Sequence, residues 1–413
     1  MLLRMNKKDL RKFAELIVKV GANVQKGQYV RISSNVCDEY FTKYVIEECY
    51  KAKAKIVEVN WYSDEAERII YKKTNIKALE EVPSWKVEKA KYYSKTLPAS
   101  IFIDSSDPDA LEGVDPKKFV ATSRAFGKEL KPIYDEMDNK YQWTIAAIPS
   151  PKWAKKVFPN DSKSEAMKKL WDAIFKCTRV YGDPIKNWAD HNANLKDKCD
   201  KLNNLGIKTL YYKSSNGTDF SVGMLEGLQF MGGGAYTING VYYNPNMPTE
   251  ECFTSPDPNT ANGIVYASKP LSLNGKVVKD FGFKFENGKV VEVYAKDDET
   301  KKALTEHINT DEGASKLGEV ALVPFNSPIN ETGLLFSNTL FDENACCHLA
   351  LGVGFEDCIV DFEKKTKEEL KAYGINDSII HTDFMIGTED LSIVAELKNG
   401  SKVQIFKNGT WAI

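Results

Sequence analysis

The chain has 413 residues, of which 42% are hydrophobic and 28% are charged, and its formal net charge is −2. This composition is typical of a protein with a sizeable core, and it lacks the basic surplus of a nucleic-acid-binding protein. The sequence contains no run of about 18 apolar residues, which argues against a membrane span. The N-terminal run MLLRMNKKDLRKF becomes charged before an apolar signal core could form. We therefore expect a cytoplasmic protein without nucleic-acid or membrane partners.

The first 180 residues alternate between helical and strand-like patterns. Two stretches carry apolar residues at helical spacing and four are rich in β-branched and aromatic residues. The helical stretches are residues 7–22 and 39–52, and the strand-like ones are residues 28–34, 55–61, 99–105 and 142–149. This alternation predicts a mostly parallel or mixed sheet with helices on its faces. No glycine-rich phosphate-binding loop follows these strands, so the pattern does not indicate a nucleotide site.

The stretch from residue 162 to residue 205 is mostly helical, and we place the domain boundary there. Its second helix begins with a proline and ends at a glycine, as helices prefer. We expect an N-terminal α/β domain in residues 1–185 and a C-terminal domain in residues 186–413.

The second half of the chain is dominated by strand and turn signals. Asn-Gly pairs, which are typical of tight hairpins, occur at residues 274–275, 287–288, 399–400 and 408–409. Helices are predicted near residues 297–308 and 341–352. The second domain is therefore expected to be mixed α/β and rich in antiparallel sheet.

The cysteines are scattered and none forms a Cys-x-x-Cys pair, so we expect reduced thiols. Cys346 and Cys347 directly precede His348. Because the run DENACCHLAL is predicted to be helical, the two thiols should point about 200° and 100° away from the imidazole. We therefore expect helix packing there, and no metal site made of thiolates and His348.

Polar residues in three other runs could hold a metal ion. His381 and Asp383 lie two residues apart in a strand-like run, so they share one face, although a solvated surface strand is an open alternative. Glu250 and Glu251 lie between two prolines. Glu319 enters an apolar strand, where a buried carboxylate must be paired or bound to metal. Taken singly, each glutamate is better explained as a solvated or salt-bridged carboxylate than as a metal ligand.

Four stretches, taken together and in this order, resemble the M29 family of metal-dependent aminopeptidases, which includes staphylococcal and thermophilic members. They are NMPTEECFTSPD, TDEGASKLGEVALVP, SNTLFDENACCHLALG and GINDSIIHTDFMIG. The resemblance runs essentially end to end, and it includes QWTIAAIPSPKWAKKVFP, PIKNWADHNANL and NGTDFSVG. It implies that residues 186–413 form a metallopeptidase domain with a dinuclear site. The ligands of that site would be Glu251, Glu319, His348, His381 and Asp383. Glu319 is the candidate for the bridging ligand.

The resemblance also implies the chemistry. Such oxygen and imidazole ligands suit zinc, cobalt or manganese. Three carboxylates, two divalent ions and one hydroxide would be close to neutral overall, and the ions would activate water for hydrolysis. A free α-amine requirement would make the enzyme an exopeptidase acting on short peptides, and the family further implies a homodimer. Glu250 is either a general base or a supporting residue, and His191 either packs in its helix or supports the site.

One residue departs from the family pattern, which carries an active-site tyrosine seven residues after the histidine of the third stretch. This chain has Phe355 there, and phenylalanine offers no hydroxyl to an oxyanion or a metal. A second hypothesis is therefore a catalytically weakened relative that binds peptides or has a structural role. A third is a two-metal hydrolase for amides or esters other than peptides.

Overall fold

The computed structural model describes residues 6–137, 139–273 and 276–413. These residues form two compact units. The first unit runs up to Ala189 and includes Gly234–Pro248, and the second unit consists of Asp190–Gly233 and Thr249–Ile413. The domain boundary predicted between residues 185 and 186 stays a prediction, because compactness does not test whether each part folds alone.

The first unit is built on a five-stranded parallel sheet. Its strands are β1 (Tyr29–Asn35), β2 (Ile56–Tyr62), β3 (Ala99–Asp104), β4 (Trp143–Ala147) and the short strand Asn246–Met247. Their spatial order is β2, β1, β3, β4 and the short strand, and every neighbouring pair is parallel. The predicted parallel sheet is confirmed. Residues Ala235–Tyr236 and Tyr242–Tyr243 form a separate antiparallel pair.

Helices connect these strands, as the alternating pattern predicts. The α-helices of this unit are Lys7–Leu16, Glu39–Lys51, Asp64–Lys73, Ile76–Leu79, Ser84–Thr96, Pro116–Glu129, Lys131–Asp135, Pro151–Val157 and Lys163–Cys177. A tenth, Pro184–Leu205, begins in the first unit and ends in the second. Side chains cap the N-termini of several helices. For example, the backbone N–H of Glu165 donates to the Ser162 hydroxyl.

An aromatic cluster joins three of these helices. Phe13, Phe41, Trp171 and Phe175 are at most 1% exposed. The ring centroids of Trp171 and Phe175 lie 4.9 Å apart, and those of Phe13 and Phe41 lie 5.7 Å apart. Burial of such large rings is a strong stabilising contribution, because each removes 150–250 Å² or so of surface from water. The apolar faces predicted from helical spacing therefore meet in one core.

The second unit contains an eight-stranded antiparallel sheet. In spatial order its strands are Lys289–Ala295, Phe281–Glu286, Asn262–Tyr266, Asp219–Gly223, Ile207–Lys213, Ser392–Leu397, Lys402–Lys407 and Thr410–Trp411. Leu271–Leu273 pairs separately with Lys276–Val278. Asn287-Gly288 and Asn408-Gly409 adopt the positive φ angles of tight hairpin turns. Asn399-Gly400 also connects two paired strands, and Asn274-Gly275 lies outside the described residues.

A four-stranded antiparallel sheet completes the second unit. Its strands are β5 (Cys252–Thr254), β6 (Leu317–Leu322), β7 (His348–Gly352) and β8 (His381–Met385), in that spatial order. One face of this sheet packs into the apolar core through side chains such as Val320, Leu349 and Phe384. The other face carries polar residues. The expected C-terminal mixed α/β architecture, rich in antiparallel sheet, is confirmed.

Helices are few among the described residues of the second unit. Besides the end of Pro184–Leu205, they are Asp298–Ile308, Thr339–Asp342 and Lys367–Ala372. The first of the three agrees with the helix predicted near residues 297–308. In the described part of the chain, no helix is both long enough and apolar enough to cross a membrane.

The helix predicted over residues 341–352 is wrong. Only Thr339–Asp342 is α-helical, followed by the 3-10 turn Glu343–Ala345, after which the chain becomes the strand β7. Every residue of β7 is buried. A strand that is buried on both faces has a continuous apolar sequence, which periodicity alone cannot distinguish from a helix. His348 is therefore the first residue of a strand.

Substitution of Phe13 by alanine should remove about 3–5 kcal/mol from the free energy of unfolding of the first unit, because it opens a cavity in the aromatic cluster. Urea-induced unfolding followed by tryptophan fluorescence, to which Trp171 in the same cluster contributes, measures this loss. The matched control is Phe119→Ala, whose ring is 51% exposed and whose loss should cost less than about 1 kcal/mol. Equal losses in both variants would contradict the assignment of the core.

Candidate metal centre

The register of the four-stranded sheet places the predicted ligands on one face. Glu319 pairs with Ala350, which pairs with Asp383 on the next strand. Residues directly opposite one another in antiparallel strands share a face, as do residues two apart along a strand. His348 lies two residues before Ala350, and His381 lies two residues before Asp383. All four predicted ligands of β6, β7 and β8 therefore project from the same side.

Small residues lie opposite these ligands in the sheet. Ala350 separates Glu319 from Asp383 across the strands, and Gly352 lies opposite His381. Gly352 has a φ of 105°, and a Cβ there would lie 2.0 Å from the carbonyl oxygen of Ile380. That position therefore requires glycine.

Glu251 approaches the same face from the neighbouring strand. It lies immediately before β5, two residues from Phe253, which pairs with Ala321. Carboxylate and imidazole atoms of Glu251, Glu319 and His348 all lie within 4.8 Å of one another, as do those of Glu319, His381 and Asp383. The structure thus brings all five predicted ligands together in two groups, and Glu319 belongs to both.

The two oxygens of Glu319 face different imidazoles. Its Oε1 lies 3.9 Å from Nε2 of His348, and its Oε2 lies 3.2 Å from Nε2 of His381. Nε2 of His348 also lies 3.4 Å from Oε2 of Glu251, and Nε2 of His381 lies 3.2 Å from Oδ1 of Asp383. Both imidazoles therefore direct Nε2 at the carboxylates.

A backbone contact fixes the orientation of His381. Its Nδ1 donates to the carbonyl oxygen of Val353 at 2.8 Å. A histidine that gives its Nδ1–H to a carbonyl keeps the Nε2 lone pair available for a metal, and metal-binding histidines commonly have such a partner. The contact therefore prepares Nε2 of His381 for a cation.

Burial and mutual repulsion control the charges of the cluster. Burial, together with the charges of Glu319 and Asp383, raises the pKa of Glu251 well above its usual range. Burial alone would lower the pKa of His381, but its close contacts and charge interactions with Asp383 and Glu319 raise it to about 11. Burial would also raise the pKa of Asp383, yet the close contact with His381 and the charges of both imidazoles hold it below its usual value. The cluster therefore attracts positive charge.

The residues fit a metal ion by an independent criterion. Oδ1 of Asp383 is buried, and Nε2 of His381 lies 3.2 Å from it without the alignment of a hydrogen bond. Nδ1 of His348 is also buried and has no hydrogen-bond partner among the described residues. A buried carboxylate oxygen without a donor is costly unless a cation satisfies it. Carboxylate oxygens and imidazole nitrogens are ligands that zinc, cobalt and manganese accept. The donor set and its unsatisfied carboxylate oxygen are thus those of a site for divalent cations.

Glu250 is buried beside the cluster but does not join it. Neither of the two groups of candidate ligands found in the described part of the chain includes it. Its carboxylate lies 3.9 Å from Nε2 of His191, which donates to the carbonyl oxygen of Thr249 at 2.7 Å. Its own backbone N–H donates to Oδ1 of Asn344 at 2.8 Å. His191 thus contacts the segment that carries Glu251, which favours the supporting role over simple helix packing.

Phe355 lies against a predicted ligand. Its ring centroid is 5.0 Å from that of His381 and 5.4 Å from that of Phe253. Its backbone N–H donates to the hydroxyl of Ser255 at 2.7 Å. The residue follows β7, and the segment after that strand places it beside His381.

The adjacent cysteines are excluded from the site, although the helical argument for excluding them was wrong. In extended chain, Cys346 and His348 would share a face. However, the Cys346 thiol lies 3.9 Å from the Ser268 hydroxyl, and the Cys347 thiol donates to the carbonyl oxygen of Val323 at 3.3 Å. All eight cysteines are free thiols. Burial raises the pKa of Cys347 above its usual range.

Glu343 is a carboxylate near the candidate ligands that sequence reasoning missed, although it belongs to neither ligand group. Burial and the charges of Asp383, Glu251 and Glu319 raise its pKa well above the usual value. It therefore belongs to the same electrostatic cluster as the predicted ligands. Its signal in the sequence is an acidic residue five positions before His348, and the incorrect helix over residues 341–352 concealed it.

Comparison with known proteins identifies the family. The sequence profile described as "Thermophilic metalloprotease (M29)" matches residues 6–411. The chain is 41% identical over 406 residues to aminopeptidase AmpS of Bacillus subtilis (strain 168), covering 98% of each protein. It is 39% identical over 416 residues to aminopeptidase PepS of Streptococcus thermophilus, covering 100% of each.

The chain belongs to the M29 metalloprotease family. The solved structure of wild-type AmpT from Thermus thermophilus superimposes with a TM-score of 0.90 at 35% identity, covering 98% of this chain and 100% of that one. The resemblance stated from the four sequence stretches is therefore confirmed. M29 membership also confirms the expectation of a peptide-bond hydrolase.

Replacement of Glu319 by glutamine in this M29 protein should remove most of the stabilisation that metal binding provides, because both ligand groups contain Glu319. Zn²⁺ at 100 times its dissociation constant stabilises a folded protein by about 2.7 kcal/mol. Differential scanning calorimetry with and without Zn²⁺ measures the difference. Glu306→Gln, at an exposed position, is the matched control and should respond to Zn²⁺ like the wild type. A Glu319→Gln variant with the full Zn²⁺-dependent rise in melting temperature would contradict the assignment.

Proposed function

We propose that this chain is a dinuclear metal-dependent aminopeptidase that removes N-terminal residues from short peptides. The position of Glu319 carries the proposal, since its two carboxylate oxygens face His348 on one side and His381 on the other. A carboxylate so placed is suited to bridge two cations. The aminopeptidase names of the relatives AmpS and PepS support the reaction.

Each cation would have its own set of ligands besides Glu319. Glu251 and His348 would hold one, and His381 and Asp383 would hold the other. Three carboxylates offset most of the charge of two divalent ions, which limits the cost of burying them. Zinc, cobalt and manganese all suit this donor set.

The residues of the chain position the reactants. When bound, two divalent ions lower the pKa of a water molecule and polarise the scissile carbonyl. Val353 keeps the Nε2 of His381 directed at the site. The assignment of Glu250 as general base stays a prediction, because its carboxylate approaches His191.

Two further expectations also stay predictions. Family membership supports a homodimer, and sedimentation analysis would test this oligomeric state. A cytoplasmic location also stays a prediction, and fractionation of the source cells would test it.

Substitution of Glu319 or His348 by alanine should lower metal-dependent release of N-terminal residues by more than about 100-fold. Replacing residues that merely orient metal ligands typically costs 10–100-fold, and removal of a ligand should exceed that range. Steady-state hydrolysis of Leu-p-nitroanilide with added Zn²⁺, Co²⁺ or Mn²⁺ measures the effect. Unchanged hydrolysis by both purified variants would contradict the proposal.

Substrates with blocked amines provide the control for reaction class. An aminopeptidase should not cleave N-acetylated Leu-p-nitroanilide, because acetylation removes the free α-amine that the enzyme requires in its substrate. Comparable turnover of free and acetylated substrates, or of simple esters, would instead favour the two-metal hydrolase of non-peptide amides or esters.

A second candidate function is a weakened relative that binds peptides or serves a structural role. The observation that favours it is Phe355, whose ring lies 5.0 Å from the imidazole of His381 and carries no hydroxyl. The site thereby lacks, at this position, a donor that could stabilise a developing oxyanion.

The variant Phe355→Tyr distinguishes the two candidates. If the hydroxyl is needed, turnover of Leu-p-nitroanilide should rise by about 10²–10³, the usual contribution of one oxyanion donor. Turnover equal to that of the wild type would show that the hydroxyl is dispensable and would reject the weakened-relative hypothesis. Phe119→Tyr, at a half-exposed position in the first unit, controls for nonspecific effects of the added hydroxyl.

A further inference from the structure

A row of apolar side chains lies beside the candidate ligands in the second unit. Met231 forms an isolated antiparallel bridge with Phe253, and the backbone N–H of each donates to the carbonyl oxygen of the other at 2.8 Å. Directly opposed residues share a face. Phe253 in turn lies opposite Ala321, and Ala321 lies opposite His348. Met231 and Phe253 therefore project from the face that carries the candidate ligands.

Phe355 extends this row over the ligands. Its ring meets that of Phe253 edge to face, with an angle of 72° between the ring planes, and also contacts His381. The hydrogen bond from its backbone N–H to the Ser255 hydroxyl fixes its position. We call Met231, Phe253 and Phe355 the apolar wall.

The apolar wall is not part of the hydrophobic core. On the opposite face of the same sheet, Cys252 and Val320 are 0% exposed and belong to the main apolar cluster. The three residues of the wall are only half-buried, and they are not among the described members of that cluster. Half-buried apolar groups beside convergent polar groups are typical of ligand sites.

We propose that the apolar wall binds the side chain of the substrate's N-terminal residue and makes the enzyme prefer leucine, methionine or phenylalanine there. The inference rests on the aminopeptidase activity proposed above. In an aminopeptidase substrate, the α-amine and the scissile carbonyl belong to the same residue. The side chain of that residue must therefore lie within a few ångströms of the ligands, where the wall is. The unbranched Met231 adapts to side chains of different shape.

Kinetic discrimination between leucine and alanine substrates tests the proposal. For the Zn²⁺-loaded enzyme, kcat/KM should be about 10–100-fold higher for Leu-p-nitroanilide than for Ala-p-nitroanilide, the usual range for a few methylene groups in an apolar site. In Phe253→Ser this ratio should fall below about 3. The control Val291→Ala, at a half-exposed position on the strand Lys289–Ala295, should keep the wild-type ratio.

A binding measurement separates this inference from the proposed function. Calorimetric titration of the Zn²⁺-loaded protein with L-leucine and L-alanine needs no turnover. Binding of leucine about 10-fold more tightly than alanine, with the difference lost in Phe253→Ser, supports the wall even if no peptide is cleaved. Equal affinities in the wild type, no binding of either amino acid, or an unchanged ratio in Phe253→Ser would overturn it.

Discussion

Carboxylates buried together on one face of a sheet repel one another, and this repulsion is the constraint on which the second unit depends. Glu251, Glu319 and Asp383 lie on one face of the sheet formed by β5–β8, where water screens their charges poorly. Two imidazoles lie 3.2–3.9 Å from these carboxylates and can offset part of their charge when protonated. Without a bound cation, the raised pKa of His381 keeps its imidazole protonated, and the imidazolium then supplies a positive charge.

The register of the strands brings these charged side chains together on one face. The candidate ligands come from four segments distant in sequence, and antiparallel pairing aligns them on one face. The opposite face of the same strands is mostly apolar and packs into the core. One sheet therefore contributes to the core on one side and to the chemistry on the other, which couples the stability of the unit to the geometry of the site.

The position of Phe355 on this face explains why two different effects are expected from it. It lies against His381, where a tyrosine hydroxyl would reach the reacting groups, and against Phe253, where an aromatic ring adds apolar surface. A loss of polar stabilisation and a gain of apolar contact for the substrate would thus come from one residue. Activity and specificity are expected to be linked at this position.

Local patterns in the sequence were sufficient for most of the fold. The four strands β1–β4 coincide with the strand-like runs at residues 28–34, 55–61, 99–105 and 142–149. Alternation and β-branched composition are typical of strands, so these runs predict them directly. Family resemblance named all five residues that the structure gathers. The exception is residues 341–352, where complete burial of β7 removes the polar–apolar period, so that the sequence predicts a helix where the structure has a strand. By itself, the sequence determined the elements, the family and the types of ligand. Only the tertiary structure decided which oxygen faces which imidazole and which apolar side chains stay half-exposed, because both depend on strand register between segments up to about 130 residues apart in the chain.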